Sequence, residues 1–224
     1  MAEKILDLKN ITKWYGGVQA LNKVDFEVEK GEIHCLIGEN GSGKSTLIKI
    51  ISGVVQPEAG AEIVVEGEKI AKMNSELSLN KGIQVIYQDL SLFPNLTVAE
   101  NIAIYLHQRK GIGIVSWQEI NQIAEKALAK IDIELDLEKT VSGLSIADRQ
   151  LVAITRALAL DAKIIIMDEP TASLANYEVS QLFKIIRDMQ SRGITTIFVS
   201  HKLDEIMEIS ENVTILRDGN KVGT

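Results

Sequence analysis

The stretch GENGSGKST, Gly38 to Thr46, sets three glycines and three hydroxyl side chains around one lysine, directly after the apolar run Ile33-His34-Cys35-Leu36-Ile37. Glycines leave the backbone bare. The N–H groups of Gly41 to Ser45 can then turn inward and form an anion nest at a helix N-terminus. The spacing Gly38-x-x-x-x-Gly43-Lys44-Ser45 matches the phosphate-binding P-loop, and it lies between a strand pattern and a helix pattern, as that motif requires. In this reading Lys44 brings a cation to the β- and γ-phosphates. Ser45 offers its hydroxyl to Mg²⁺, and Thr46 lies close enough to touch the α-phosphate. A flexible Gly/Ser turn would need neither the full spacing nor the context.

Carboxylates supply the second signal. Ile164-Ile165-Ile166-Met167 is an apolar strand ending in Asp168 and Glu169. Ligand chemistry in a parallel sheet sits at the carboxyl ends of strands. Asp168 there can hold Mg²⁺ through water, and Glu169 can polarise a water for in-line attack on a γ-phosphate. Strands often end in solvated acids, so the pair gains its meaning from the P-loop. Three further residues follow the same logic. Gln88 comes after a strand over Ile83 to Tyr87, His201 after a strand over Thr195 to Ser200, and Tyr15 lies in a loop before the P-loop. An amide can ligate Mg²⁺ and sense a γ-phosphate, an imidazole can donate to it, and a tyrosine ring can stack on a purine. Singly each is an ordinary polar or packed residue; their joint order is not easily explained by chance.

One motif is a decoy. Asn22-Lys23-Val24-Asp25 matches the guanine-reading N-K-x-D pattern. It precedes the P-loop, where ordinary GTPases have it far downstream. Val24 and Phe26 read better as core positions of a strand, with Asp25 on its solvent face.

These residues need elements to hold them. Val24, Phe26 and Val28 alternate with polar residues as a strand closed by the Lys30-Gly31 turn. Ile33 to Ile37 reads as a buried strand, and Lys44 to Ser52 as a helix with Gly53 as its C-cap. Ile63 to Val65 is a short strand. From about Val98 to Leu160 the pattern is mostly helical. Ser116-Trp117-Gln118-Glu119 reads as a capping box, and Trp117, Ile120, Ala124, Ala127, Leu128 and Ile131 follow at helical spacing. The chain then returns to alternation: a helix with Val179, Leu182, Phe183, Ile186 and Met189 on one face, a short helix after His201, a strand over Val213 to Leu216, and a hairpin signal at Asp218-Gly219. Alternating strands and helices imply an α/β fold with a mostly parallel sheet and right-handed crossovers. The helical stretch is expected to be an insertion into it.

Composition narrows the class. The chain has 224 residues, one cysteine and a net charge of −7. No apolar run approaches the roughly 20 residues that span a bilayer, and MAEKILDLKN carries no apolar signal-peptide core. A single cysteine rules out a disulfide framework and fits a reducing cytoplasm. No basic stripe offsets the acidic balance, which disfavours nucleic acid as a partner.

The ordered set Tyr15, Gly38 to Ser45, Gln88, Asp168-Glu169 and His201 resembles the ATP-binding cassette (ABC) ATPases over essentially the whole chain. The resemblance implies a P-loop NTPase core with an N-terminal antiparallel β region and an inserted helical subdomain. About 1–90 and 161–224 would form the core, and about 91–160 the helical subdomain. It implies ATP contacts from Tyr15, Gly38, Asn40, Gly41, Ser42, Gly43, Lys44, Ser45, Thr46, Gln88 and Ser145. Mg²⁺ would be held by Ser45, Gln88 and Asp168, and Glu169, His201 and Lys44 would carry the catalysis.

Two positions depart from the family pattern. The signature L-S-G-G-Q is replaced by Leu144-Ser145-Ile146-Ala147-Asp148, without its glycines, and S-A-L-D by Ala172-Ser173-Leu174-Ala175, without its aspartate. Ser145 and Asp148 still read as a helix cap, whose N–H groups and dipole can face an anion. "LSIADRQ" and "EPTASL" together resemble the first cassette of bacterial monosaccharide importers of the ribose/galactose/xylose type, and of their nucleoside-import relatives. There one polypeptide carries two cassettes, so the chain is expected to be the N-terminal cassette of a tandem protein, or else a one-cassette subunit. The implied partners are a second cassette, tandem or homodimeric, an integral-membrane permease, and indirectly a periplasmic or extracellular sugar-binding protein. The implied place is the cytoplasmic face of the membrane. "DLSLFPNLTVAENI" is expected to meet the permease through apolar residues such as Leu92 and Phe93, which read equally well as local core. The rivals are a soluble ABC ATPase of ribosomes or DNA, and a regulatory cassette that binds ATP without turnover. The first lacks coiled-coil heptads and basic linkers. The second sits poorly with Glu169 and His201, although the absent aspartate favours it.

Overall fold

The computed structural model describes residues 3–110 and 116–224. By contact the chain divides into two compact units: Met1–Val85 with Lys163–Glu169 and Met189–Thr224, and Ile86–Ala162 with Pro170–Asp188.

The first unit holds an antiparallel sheet near its N-terminus. Strands β1 (Lys4–Tyr15) and β2 (Val18–Glu29) pair with Leu8 opposite Phe26 and Ile11 opposite Val24. With β4 (Glu62–Val65) and β5 (Glu68–Lys69) the order is β2-β1-β4-β5. Val24, Phe26 and Val28 are buried while Asp25 and Glu27 are exposed, the period-2 pattern of a half-solvated strand. Asp25 accepts a hydrogen bond from Asn10 N at 2.7 Å, a contact within this sheet that accords with the strand reading of Asn22 to Asp25.

The second sheet has the spatial order β10 (Asn220–Gly223), β9 (Asn212–Arg217), β3 (Ile33–Ile37), β8 (Thr195–Val199), β7 (Ile164–Asp168), β6 (Ile83–Ile86). β3 runs parallel to both β8 and β9, β7 runs parallel to β8, and β10 returns antiparallel on β9. Successive residues of β7, Ile164 to Met167, are all fully buried. Since they face alternate sides, both faces of the sheet are covered there, which is why the strand is apolar without alternation. Each such side chain contributes about 1.5–3 kcal/mol of transfer free energy. Cys35 lies in the same core, and burial pushes its thiol up to about 12, which removes it from thiolate chemistry. The helices of this unit are α1 (Lys44–Ile51), α2 (Ser75–Asn80) and α7 (Leu203–Ile209).

The second unit is helical: α3 (Val98–Lys110), α4 (Trp117–Leu128) and α5 (Ile146–Ala159), with most of α6 (Asn176–Ser191). Val98, Ile102, Ile120, Ala124, Leu128 and Val152 form its core. The antiparallel sheet, the mostly parallel sheet and the helical part are as the sequence leads one to expect.

Several local expectations fail. Tyr15 ends strand β1 instead of lying in a loop, because the strand continues to the Gly16-Gly17 turn. Ser116 is the N-cap of α4 but its side chain makes no cap hydrogen bond, and Trp117 is 64% exposed, outside the α4 core face. The reciprocal capping box sits instead at α3: Thr97 N donates to Glu100 Oε2 at 2.7 Å, and Glu100 N to Thr97 Oγ1 at 3.2 Å. Leu92 packs against the helical core, while Phe93 stays 42% exposed. Strand β1 and helix α2 carry patterns too mixed to stand out.

Candidate functional site

Three parallel strands bring the chemistry together. β8 lies between β3 and β7. All three therefore deliver the residues after their carboxyl ends to one edge of the sheet. The glycine loop follows β3, Asp168 ends β7 with Glu169 directly after it, and His201 follows β8. Sequence separation is erased: His201 Nδ1 lies 3.0 Å from Glu169 Oε1.

The loop's glycines are required by its surroundings. A Cβ on Gly38 would overlap Ser42 Oγ and Leu216 O. One on Gly43 would lie 2.6 Å from Ala20 O and Leu21 Cδ2, and its φ of 106° disfavours any side chain. Gly43 caps α1 without a side-chain hydrogen bond, so the first N–H groups of the helix are not taken by a cap. Lys44 Nζ donates to Gly38 O at 2.6 Å and Glu39 O at 3.0 Å, which folds its ammonium back over the loop. Burial pulls Lys44 below the ordinary lysine value, and the charges of Glu169 and Asp168 push it back up. Asp168 is the counterpart. Burial raises its carboxyl, the Glu169 charge raises it further, and Lys44 and Lys49 oppose both. Two acids and one buried cation thus form a single electrostatic group.

Glu169 is held in a left-handed conformation, φ 49°, with its N–H donating to Val199 O at 2.9 Å. A non-glycine residue there costs about 1–2 kcal/mol. The hydrogen bond to β8 helps fix the backbone from which the carboxylate reaches His201.

The donor set fits a nucleotide with Mg²⁺. Ser42 Oγ is buried with no hydrogen-bond partner. Ser45 is exposed and Thr46 half-buried on the first turn of α1. Among the described residues no group of three or more His, Cys, Asp or Glu could hold a metal alone. Magnesium, however, ordinarily binds one or two protein oxygens together with substrate phosphates, and Ser45 and Asp168 supply such oxygens. Tyr15 presents a ring 45% exposed, with Lys13 Nζ 5.7 Å from its centroid.

Gln88 and Ser145 belong to the second unit. Gln88 is exposed just beyond β6. Ser145 Oγ accepts from Asp148 N at 3.0 Å and caps α5, as its spacing predicts. Arg156, unmarked by any motif, shapes the segment after Gln88. Its guanidinium donates to Ser91 O at 2.8 Å and Leu90 O at 2.9 Å and lies 5.5 Å from the Tyr105 ring centroid. Only the fold shows this, because the carbonyls it binds carry no side-chain signature.

Comparison with known proteins finds similarity along nearly the whole chain. A family model described as "ABC transporter" matches residues 21–172. The chain is 41% identical over 219 residues to the ribose import ATP-binding protein RbsA of Hahella chejuensis, 98% of this chain and 44% of that protein. It is 43% identical over 225 residues to the xylose import ATP-binding protein XylG of Geobacillus kaustophilus, 100% of this chain and 44% of that one. The chain thus spans less than half the length of these relatives. Among solved structures, a nucleotide-free ATP-binding cassette from an ABC transporter superposes with a TM-score of 0.87 at 28% identity, covering 98% of this chain and 90% of the other. A bacterial ABC transporter cassette solved as a dimer gives 0.81 at 29% identity, with 97% of each chain covered.

Proposed function

This chain belongs to the ABC transporter family, and from that premise we propose that it binds and hydrolyses ATP to power import of a monosaccharide across a membrane. The observation that carries the reading is the single sheet edge holding the glycine loop with Lys44, the Asp168-Glu169 pair and His201. The relatives named for ribose and xylose import point to the sugar class.

Each residue then has a task. The N–H groups of Gly41 to Ser45 and the Lys44 ammonium cradle the phosphates, and Gly38, Asn40, Ser42 and Thr46 shape and complete the cradle. The Tyr15 ring stacks on adenine. Ser45 and Asp168 would hold Mg²⁺, which when bound would neutralise charge developing on the phosphate oxygens. Glu169 accepts a proton from the attacking water, and His201, 3.0 Å from it, orients the carboxylate and donates to the γ-phosphate. Ser145 and the start of α5 cover the γ-phosphate bound by a second cassette, tandem or homodimeric. ATP binds the closed pair better than the open one, and that difference is what drives the coupled motion.

The reading also includes the helical subdomain over about 91–160, a longer tandem chain, a permease contacting the Phe93 region, an indirect sugar-binding protein, and a place on the cytoplasmic face of the membrane. No described helix is long and apolar enough to cross a membrane. Phosphate release from Mg-ATP by the purified chain tests the catalytic half. A chain that binds no ATP sinks it. Loss of ribose, xylose or galactose uptake on deleting the gene tests the transport half; unchanged uptake of all three removes the sugar assignment.

A further inference from the structure

The hairpin between β9 and β10 touches the glycine loop at both ends of its curve. Leu216 O packs on the Cα of Gly38, where it leaves no room for a Cβ. Four residues along the loop, Gly219 N donates to Ser42 O at 3.1 Å. The turn is fastened in its own right. Asn22 N donates to Gly219 O at 2.8 Å, and Asn22 Nδ2 to Asn220 Oδ1 at 3.0 Å. Ala20 O lies between the two glycines: it would sit 2.6 Å from a Cβ on Gly43 and 3.0 Å from one on Gly219.

Ser42 C=O and Gly43 N–H belong to one planar trans peptide, so they point in opposite directions. Drawing the carbonyl toward Gly219 turns the Gly43 N–H away from the hairpin. Gly43 has φ 106° and no side chain, so without a tether its peptide plane can rotate at little steric cost.

We propose that Gly219 is a positioning residue of the nucleotide site, which fixes the orientation of the peptide bond between Ser42 and Gly43 from outside by its hydrogen bond to Ser42 O and so aims the Gly43 N–H at the phosphates. The proposal rests on the ATP-binding reading of Gly38 to Thr46. Gly219 does not touch nucleotide. It acts through the peptide between Ser42 and Gly43, and it must be glycine because its φ is +74° and Ala20 O closes the space beside it.

The test is titration calorimetry with Mg-ATP on the wild-type chain, Gly219→Ala, Asn220→Ala and, as a control on the same hairpin, Val222→Ala, whose side chain is exposed. Gly219→Ala is expected to bind ATP about tenfold more weakly, the scale of one hydrogen bond to a charged group. Its Gly43 amide resonance should also shift in the nucleotide-bound state. Asn220→Ala, which loosens the turn without steric cost, should weaken binding about threefold, and Val222→Ala should not change it. A merely structural role would lower the melting temperature of Gly219→Ala and leave its affinity intact. If Gly219→Ala does not fold, Asn220→Ala decides. Wild-type affinity in Asn220→Ala, or in a folded Gly219→Ala, overturns the proposal alone. A wild-type chain that binds no ATP overturns the underlying reading with it.

Discussion

Glu169 Oε1 and His201 Nδ1 stand 3.0 Å apart, although 32 residues separate them in the chain. Parallel pairing of β7 with β8 sets Asp168 beside Val199, so the residues that follow the two strands emerge together. A carboxylate tied to an imidazole is oriented before any substrate arrives, as a base for a bound water must be.

Glu169→Gln keeps the shape and removes the carboxylate proposed as the base. It should bind Mg-ATP with affinity near wild type while phosphate release falls about 100-fold or more. Single-turnover hydrolysis near the wild-type rate would take Glu169 out of the base role. Light scattering on this variant, with and without Mg-ATP, should show an ATP-dependent dimer. A monomer that still binds ATP would place the closing surface on a second cassette.

Lys44→Ala deletes the loop's only cation. ATP affinity should fall at least tenfold, since hydrogen bonds from a charged donor are worth about 1.5–3 kcal/mol. Equilibrium binding of a fluorescent ATP analogue reads this directly, and an unchanged constant would reject the P-loop assignment.

Asp168 makes stability depend on pH in a definite direction. Burial, then the Glu169 charge, raises its carboxyl above the ordinary value. The native state therefore holds this proton more tightly than the unfolded chain does. Its stabilising contribution is complete below the unfolded pKa and is lost as pH rises through the folded one. Asp168→Asn should thus raise the melting temperature of the nucleotide-free chain at neutral pH, and the gain should shrink as pH is lowered through the acid range. The same variant should lose the extra stabilisation that Mg²⁺ adds to bound ATP. A nucleotide-free melting temperature at or below wild type at pH 7 would contradict this.

The two serine caps separate pattern from geometry. Ser145→Ala removes a side-chain bond to Asp148 N and should cost about 1 kcal/mol in denaturant unfolding. Ser116→Ala removes no such bond and should cost no more than about 0.5 kcal/mol. Equal losses at the two sites would show that the cap distance carries no energetic weight.

Much of the architecture is legible in the chain because burial writes directly into residue type. Ile164 to Met167 is apolar without alternation, since both faces of its strand are covered, and its span is read almost to the residue. The glycine loop is legible for a steric reason: side chains at Gly38 and Gly43 would meet Leu216 O and Ala20 O. Trp117 and Leu92 are harder to place, because an exposed apolar residue and a packed one look alike in a string of letters.

What the sequence determined by itself is therefore local: which segments must be buried, where the backbone must stay bare, where helices such as α5 begin. Periodicity and glycine placement depend on neighbours along the chain, so one sequence suffices to read them. Only the tertiary structure decided that His201 reaches Glu169, that Arg156 holds the carbonyls of Leu90 and Ser91, and that the Gly219 turn grips Ser42 O. Each of these joins residues distant in sequence. Two of them run through backbone carbonyls, which every residue possesses and no residue type announces. Strand order brought Glu169 to His201 and the Gly219 turn to Ser42, while helix α5 carries Arg156 to its carbonyls.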